Sequence, residues 1–298
     1  MGYKQERNKA AAMDFYTTMV NHKDPQTAMD KYGASYYRQH NPHVEDKKEG
    51  FIKHFKALAI SSPHEDFYPR VIAEDDLVLM HVWHHELPAH FPYEKTLENY
   101  KRYGLMPFDI FRFSEEGRIM EHWDSMQWSP FPASFNEIGL VEVEPWWPEG
   151  TYSRLEEPLC TSPMMEGETE IRDLDKTQQN KEIARQFVQD ILMDKRFDEA
   201  EKYLADNMTH HVCYMHDGKN GYLEGIRTMK QTQGIDYIEP HRAVAEGNFV
   251  GIQSQINYRG RVTSVVDLFR LEDGKIAEVW ECLFESVPET AAHQNTLF

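Results

Sequence analysis

The sequence has three cysteines in 298 residues, Cys160, Cys213 and Cys282, an odd number without metal-ligand spacing. They give no disulfide framework and no zinc motif, which fits a reducing cytoplasm. No run of about 18 apolar residues exists, so no helical membrane span is expected. The opening stretch MGYKQERNKAAAMDFY has no apolar core, so a secretory signal is not expected either. Glu6 stands where a myristoylation signal after Gly2 needs Ser or Thr. Basic residues are scarce: 32 Lys and Arg against 50 Asp and Glu leave a formal charge of −18. That charge repels nucleic-acid phosphates. The expected setting is cytoplasmic, with neither a nucleic acid nor a membrane as partner.

What is present is enough apolar residue for packed cores, 40% of the chain with 12% aromatic, on a length that suggests two domains. The stretch FDIFRFSEEGRIMEHWD, Phe108 to Asp124, returns as VDLFRLEDGKIAEVWE, Val266 to Glu281. Each copy alternates apolar and polar residues on either side of a Gly-ended turn, the pattern of an antiparallel hairpin. The repeat extends upstream. Asn8 to Val20 and Asn180 to Leu192 both begin Asn-Lys and carry apolar residues at helical spacing. Shorter helices follow at Gln26 to Tyr32 and Asp198 to Leu204. A strand comes next in each copy, then a third helix at Gly50 to Ala59 and Gly225 to Thr232. Helices followed by runs of strands indicate an α+β class, with the helices on one side of a curved antiparallel sheet.

Three segments are therefore expected: a first unit over 1–135, an acidic segment over 136–177 and a second unit over 178–298. Asn136 to Asp175 holds eleven acidic residues against Arg154 and Arg172, together with Pro145, Pro148, Pro158 and Pro163. This is the composition of a linker. Trp146, Trp147, Tyr152 and Leu155 are too apolar for a free tether and are expected to dock on one of the units. The two units are expected to pack as an intramolecular pseudo-dimer, with Val78, Met80 and Val82 against the strand from Val250 to Ile256.

Period-two alternation sorts the strand residues into faces. Asp109, Phe111 and Phe113 share one side, His122 and Asp124 lie together on the returning strand, and Glu121 and Trp123 point the other way. Tyr36, Arg38 and His40 share a face of SYYRQHNP, and His81, Trp83 and His85 share a face of the strand that follows Asp76. Ten of the fifteen histidines precede residue 125. His81 and His85 with Asp109 or His40 would suit a divalent metal, yet no HExxH or similar signature supports one. The expectation is therefore no metal and no other cofactor.

The strings YRQHNP at Tyr37 to Pro42, FDIFR at Phe108 to Arg112 and GRIMEHWD at Gly117 to Asp124 resemble the SnoaL-like polyketide cyclases of the nuclear transport factor 2-like superfamily. The resemblance covers residues 8 to about 130 well and residues 178 to 287 more loosely. It implies two tandem cone-shaped barrels, each with three N-terminal helices on the sheet and a pocket between. It also implies Asp124 as the catalytic acid/base group, with His40 and Asp109 facing the pocket. Tyr36, His81, Trp83, His85, Phe111, His122 and Trp123 are the expected substrate-binding residues. The second copy has Glu281 for Asp124 and Val279 for His122, so it is expected to be degenerate. Two functions stand side by side: a cofactor-independent enzyme (aldol-type cyclase, isomerase, dehydratase or hydrolase) on a small, mainly apolar carbonyl compound, or a non-catalytic binder of a small molecule.

Overall fold

The computed structural model describes residues 2–58, 66–84, 105–128, 160, 162, 164–212, 214–284, 288 and 290–298. Its first unit begins with α1 (Tyr3–Tyr16), which continues into a wide π-type turn at Thr17–Asn21. Next comes α2 (Pro25–Tyr32), started by Asp24 accepting from the Thr27 amide at 3.0 Å with Pro25 in the first turn. Asp at the cap satisfies a free helix N–H, and Pro has none to leave unpaired. Strand β1 (Gly33–Gln39) and helix α3 (Lys47–Leu58) follow, then β2 (Phe67–Glu74), β3 (Leu77–Trp83), β4 (Leu105–Phe113) and β5 (Ile119–Trp128).

The second unit repeats the plan. Helix α4 (Thr177–Phe187) runs into a π-type turn at Val188–Met193, and a 3₁₀ turn at Phe197–Lys202 takes the place of α2. After it come β6 (Leu204–His210), α5 (Gly218–Thr232), β7 (Ile235–Glu246), β8 (Phe249–Tyr258), β9 (Arg261–Glu272) and β10 (Lys275–Leu283). The β9–β10 turn places Asp273 and Gly274 at positive φ, the geometry of a two-residue hairpin and a reason for its Asp-Gly.

The two sheets have one topology, β1-β5-β4-β3-β2 and β6-β10-β9-β8-β7. Both are open five-stranded sheets, α+β with helices. The hairpin strands are antiparallel, while β1 and β6 run parallel to the last strand of their sheets.

Both faces of each sheet are covered. Val78, Met80 and Val82 of β3 pack beneath the helices with Ala12, Phe15, Met19 and Phe51. The alternate residues Leu79 and Trp83 join Met106, Phe108, Ile110 and Trp123 in a core shared with the second unit. The expected sides of β3 are thus exchanged: Val78, Met80 and Val82 face their own helices, and the contact with β8 is made by Leu79. A methyl group on Gly251 would lie 2.4 Å from Leu79 Cδ1. The apolar residues go under the helices because amphipathic helices need an apolar floor, whereas the contact between sheets also accepts polar residues that find partners there.

Those partners are reciprocal. Glu246 takes a hydrogen bond from Lys9 Nζ (2.6 Å) and from the Ala73 amide (2.7 Å), and Glu74 takes the same pair from Lys181 (2.7 Å) and Ala245 (3.0 Å). Cys282 donates to the carbonyls of Met106 and Ser125, Ser125 Oγ meets Ser264 Oγ at 2.8 Å, and the Leu283 amide donates to Gln127. The last part of the acidic segment is also folded: Met164 enters the shared core and Arg172 exchanges two hydrogen bonds with Asn248. The expected docking of Trp146, Trp147, Tyr152 and Leu155 lies outside the described residues.

Glu246 is 3% exposed, so removing it strands the buried Ala73 amide and leaves Lys9 with the half-exposed Glu6 as its partner. Glu246→Ala is expected to cost about 3–5 kcal/mol in urea unfolding, while Glu115→Ala, whose pair with Lys4 is exposed, should cost under about 1 kcal/mol. Equal losses would show that the Lys9–Glu246 contact does not hold the sheets together.

Candidate active site

Register brings the acids together. Asp109 of β4 lies opposite Asp124 of β5, and Phe111 opposite His122, so all four share the concave side beneath the helices. His122 stacks on Phe111 with centroids 4.8 Å apart, and its Nε2 is 2.7 Å from Asp109 Oδ1. Its Nδ1 lies 3.2 Å from Gln39 Nε2. The orientation of that amide is fixed, because Gln39 Oε1 accepts from the amides of His40 and Asn41, both at 2.9 Å. Gln39 therefore presents N–H to Nδ1, and His122 carries its proton on Nε2, facing Asp109.

Asp124 is held on one side. Asn41 Nδ2 donates to its Oδ2 at 2.8 Å. Its Oδ1, like Oδ2 of Asp109, is buried with no hydrogen-bond partner among the described residues. Burial drives the Asp124 carboxyl up to about 6; the charge of Asp109 adds to this, and His122 and Asn41 oppose it. Burial pulls the His122 imidazole down, but its bond to Asp109 and the charges of Asp124 and Asp109 outweigh this and the net shift is upward. The phenols of Tyr16 and Tyr37 are pushed well above their usual value by burial and then by the nearby carboxylates. Above them, Tyr16 OH meets His84 Nε2 at 2.9 Å, and His84 in turn bonds to Asp66.

One oxygen or nitrogen from each of Asp109, His122 and Asp124 falls within 4.8 Å of the others, a spacing that would suit a divalent ion. Both His122 nitrogens are already engaged, one as donor to Asp109 and one as acceptor from Gln39, so the ring offers no lone pair to a metal. The donor set does not fit an ion without turning that ring. The metal set considered from sequence is not assembled, since His40 and His81 lie on the far face of the sheet from Asp109.

Asp109, Phe111, His122 and Asp124 thus converge, and the other expected site residues do not. His40 stacks on Trp123 at 4.6 Å on the far face. His81 stacks on Phe108 at 4.3 Å and bonds to Arg70, and Trp83 is in the shared core. Tyr36 is 55% exposed, and His85 lies outside the described residues. The cause is the pleat: Gln39 and Asn41 flank His40 and point inward, so the Gln-His-Asn string contributes its outer members. Tyr37, Gln39, Asn41 and Tyr16 were missed, although alternation from His122 across β1 could have found Gln39.

The second unit has the matching pair, Asp267 opposite Glu281. Tyr237 OH lies 3.1 and 3.0 Å from the two oxygens of Asp267 and 3.4 Å from Glu281, which also bonds to Tyr214. Burial raises Glu281 to about 7 and Asp267 well above its ordinary value. One proton shared between two buried carboxyls accounts for both directions.

Residues 184–279 match the sequence model of the SnoaL-like domain. The match falls on the second unit, where the sequence resemblance had seemed looser. In that unit β8 and β9 are joined by Arg259 and Gly260 alone, while 84–104 separate β3 from β4. No curated protein matches the sequence. Among solved structures, an LEH-like epoxide hydrolase of M. tuberculosis is 18% identical over 36% of this chain and 83% of its own, with a TM-score of 0.30. A SnoaL-like polyketide cyclase of Agrobacterium tumefaciens is 17% identical over 34% and 88%, TM-score 0.29. An NTF2-like protein of Cytophaga hutchinsonii is 22% identical over 39% and 92%, TM-score 0.29. No described helix is long and apolar enough to cross a membrane.

A carboxyl raised from 3.8 to about 6 lends the fold stability below pH 4 that is lost as pH rises through 6. The shift corresponds to about 3 kcal/mol. Asp124→Asn should therefore gain about 3 kcal/mol relative to wild type between pH 4 and pH 8 in urea titrations. A pH-independent difference would mean that Asp124 ionises as freely in the fold as in the unfolded chain.

Proposed function

We propose that the first unit is a general acid/base enzyme for a small, mainly apolar carbonyl compound, working without metal or organic cofactor. The observation that carries this reading is the buried Asp124 Oδ1, which has no hydrogen-bond partner among the described residues. A buried carboxylate oxygen left open is costly unless it is used. In the second unit the equivalent acids are bonded by Tyr214 and Tyr237, which supports a structural role for that copy.

In this reading Asp124 Oδ1 takes a proton from the carbon beside the carbonyl, and the protonated carboxyl returns it to another carbon or to the developing alkoxide. A pKa near 6 makes both transfers accessible close to neutral pH, contributing on the order of 10²–10⁴-fold. Asn41 holds Oδ2 so that Oδ1 faces the substrate. The charge of Asp109, itself held by His122, helps keep the Asp124 proton exchangeable. Phe111 and the buried Phe51 and Tyr37 form an apolar lining. Intramolecular aldol closure, isomerisation, dehydration and hydrolysis all use these transfers, so the reading fixes the proton chemistry and not the product. His40, stacked behind the sheet, takes no part.

The test is exchange of α-protons for deuterium in a panel of small cyclic ketones, followed by proton NMR in D₂O at pH 7. The full chain should accelerate exchange of at least one compound, Asp124→Asn should lose about 10²-fold or more, and Glu281→Gln should stay within a few-fold. Exchange that survives Asp124→Asn and falls in Glu281→Gln would overturn the assignment.

The same proposal makes the two units a tandem duplicate packed as an intramolecular pseudo-dimer, with domains over 1–135 and 178–298 and the segment 136–177 between them. Leu79, Trp83, Phe108 and Ile110, each 1% exposed or less in the full chain, would face water in a 1–135 fragment. Such a patch drives association. The fragment should sediment as a self-associated species while the full chain does not; a stable monomeric fragment would remove the second unit's role as partner.

A further inference from the structure

On the convex side of β5, behind Asp124, lies a cavity of about 340 Å³. Arg38, His40, Arg112, Glu121 and Trp123 of the first unit line it, Arg242 comes from the second, and residues 294–298 close one side. Arg242 is spread over the Trp123 ring, its Cζ 3.9 Å from the centroid. His40 covers the ring too, and its Nδ1 is bonded to the Thr296 carbonyl at 2.7 Å.

The second unit carries the corresponding constellation. Register aligns Glu278 with Glu121, Thr209 with Arg38 and His211 with His40. His211 stacks on Trp280, and Arg70 lies over that ring, again at 3.9 Å. There the chain itself supplies acceptors. The Glu166 carbonyl accepts from Trp280 Nε1 at 2.9 Å and from Arg70 at 2.6 Å, and the Glu168 carbonyl accepts from Arg70 at 2.9 Å.

At the first position those acceptors are missing among the described residues. Trp123 is 1% exposed and its Nε1 has no hydrogen-bond partner. Arg112 pairs with Glu121 and Asp76, and Arg38 lies 3.8 Å from Glu121. Arg242 has no carboxylate within ion-pair distance among the described residues; its hydrogen bond goes to Gln253. Arg38 adds a further cation where the counterpart has neutral Thr209. A donor-lined hollow with surplus positive charge, on a chain of net charge −18, is shaped for oxygen acceptors that bring negative charge.

We propose that this cavity is a second binding site, separate from the acids on the concave face, and that it takes a small organic anion bearing a carboxylate or a phosphate monoester. The Arg242 guanidinium holds the anionic oxygens, as the main-chain carbonyls of Glu166 and Glu168 are held by Arg70, and the buried Trp123 ring is the platform on which Arg242 lies. Arg38 at the mouth supplies the remaining charge. Because Arg242 and Trp123 come from different units, an occupied site also ties the units together.

The experiment is isothermal titration of the full-length chain with benzoate, phenyl phosphate and, as the neutral control, phenol. At least one of the two anions should bind saturably while phenol does not, and the better anion tells carboxylate from phosphate. Arg38→Gln with Arg242→Gln should weaken that binding about tenfold or more, the equivalent of one charge-assisted hydrogen bond. Asp124→Asn, on the other face, should leave it unchanged. Should the double variant not fold, half-exposed Arg38 changed alone to Gln still tests the site, with a smaller loss expected. No saturable binding of either anion, equal binding of phenol, or an affinity indifferent to the arginines overturns the proposal. An effect of Asp124→Asn as large as that of the arginine pair moves the anion to the concave side and overturns it as well.

Discussion

The structure depends on one requirement: a sheet with helices on a single side has a second face that also has to be covered. Here the second face of each sheet is covered by the other. The shared core runs from Ile72 and Leu79 through Trp123 to Phe269 and Leu283. Around its edge, buried Glu74 and Glu246 each reach across to a lysine and a backbone amide of the other unit. A buried ion pair adds little net stability when complete, but losing one partner is costly. The crossed pairs therefore fix the relative position of the two sheets more than they deepen the energy of folding.

That arrangement gives one β-hairpin two different surroundings. Along β5 the residues alternate between His122 and Asp124 on the concave side and Glu121 and Trp123 on the convex side. The first pair sits in a dry, aromatic surrounding where burial raises the carboxyl. The second pair sits among arginines drawn from both units. Sheet pleating separates the two surroundings by the thickness of a single strand.

The two units solve the same problem differently at both positions. Inside the second sheet, tyrosines bond the buried acids; inside the first, Asp124 Oδ1 has no partner among the described residues. On the outer faces, the segment at 164–168 supplies carbonyls to Arg70 and Trp280, whereas Trp123 Nε1 has no partner among the described residues. In both comparisons the atom without such a partner belongs to the first unit. The second holds the same framework with hydrogen-bond partners on Asp267, Glu281, Arg70 and Trp280.

The sequence by itself determined the order of helices and strands, the hairpins and which side chains share a strand face, because each is local: alternation, turn residues and helical spacing act over a few positions. It also put Glu121 and Trp123 opposite His122 and Asp124. It did not say which face looks inward. The family resemblance implies Tyr36, His40, His81, Trp83 and Trp123 at the pocket, yet a sheet-to-sheet contact draws on the same polar and aromatic residue types. Only the tertiary structure decided between the two, by setting three helices over Val78, Met80 and Val82 and a second sheet over Leu79 and Trp83. The surroundings of Asp124 Oδ1 and Trp123 Nε1 likewise depend on groups far apart in the chain, and no spacing along the sequence reports them.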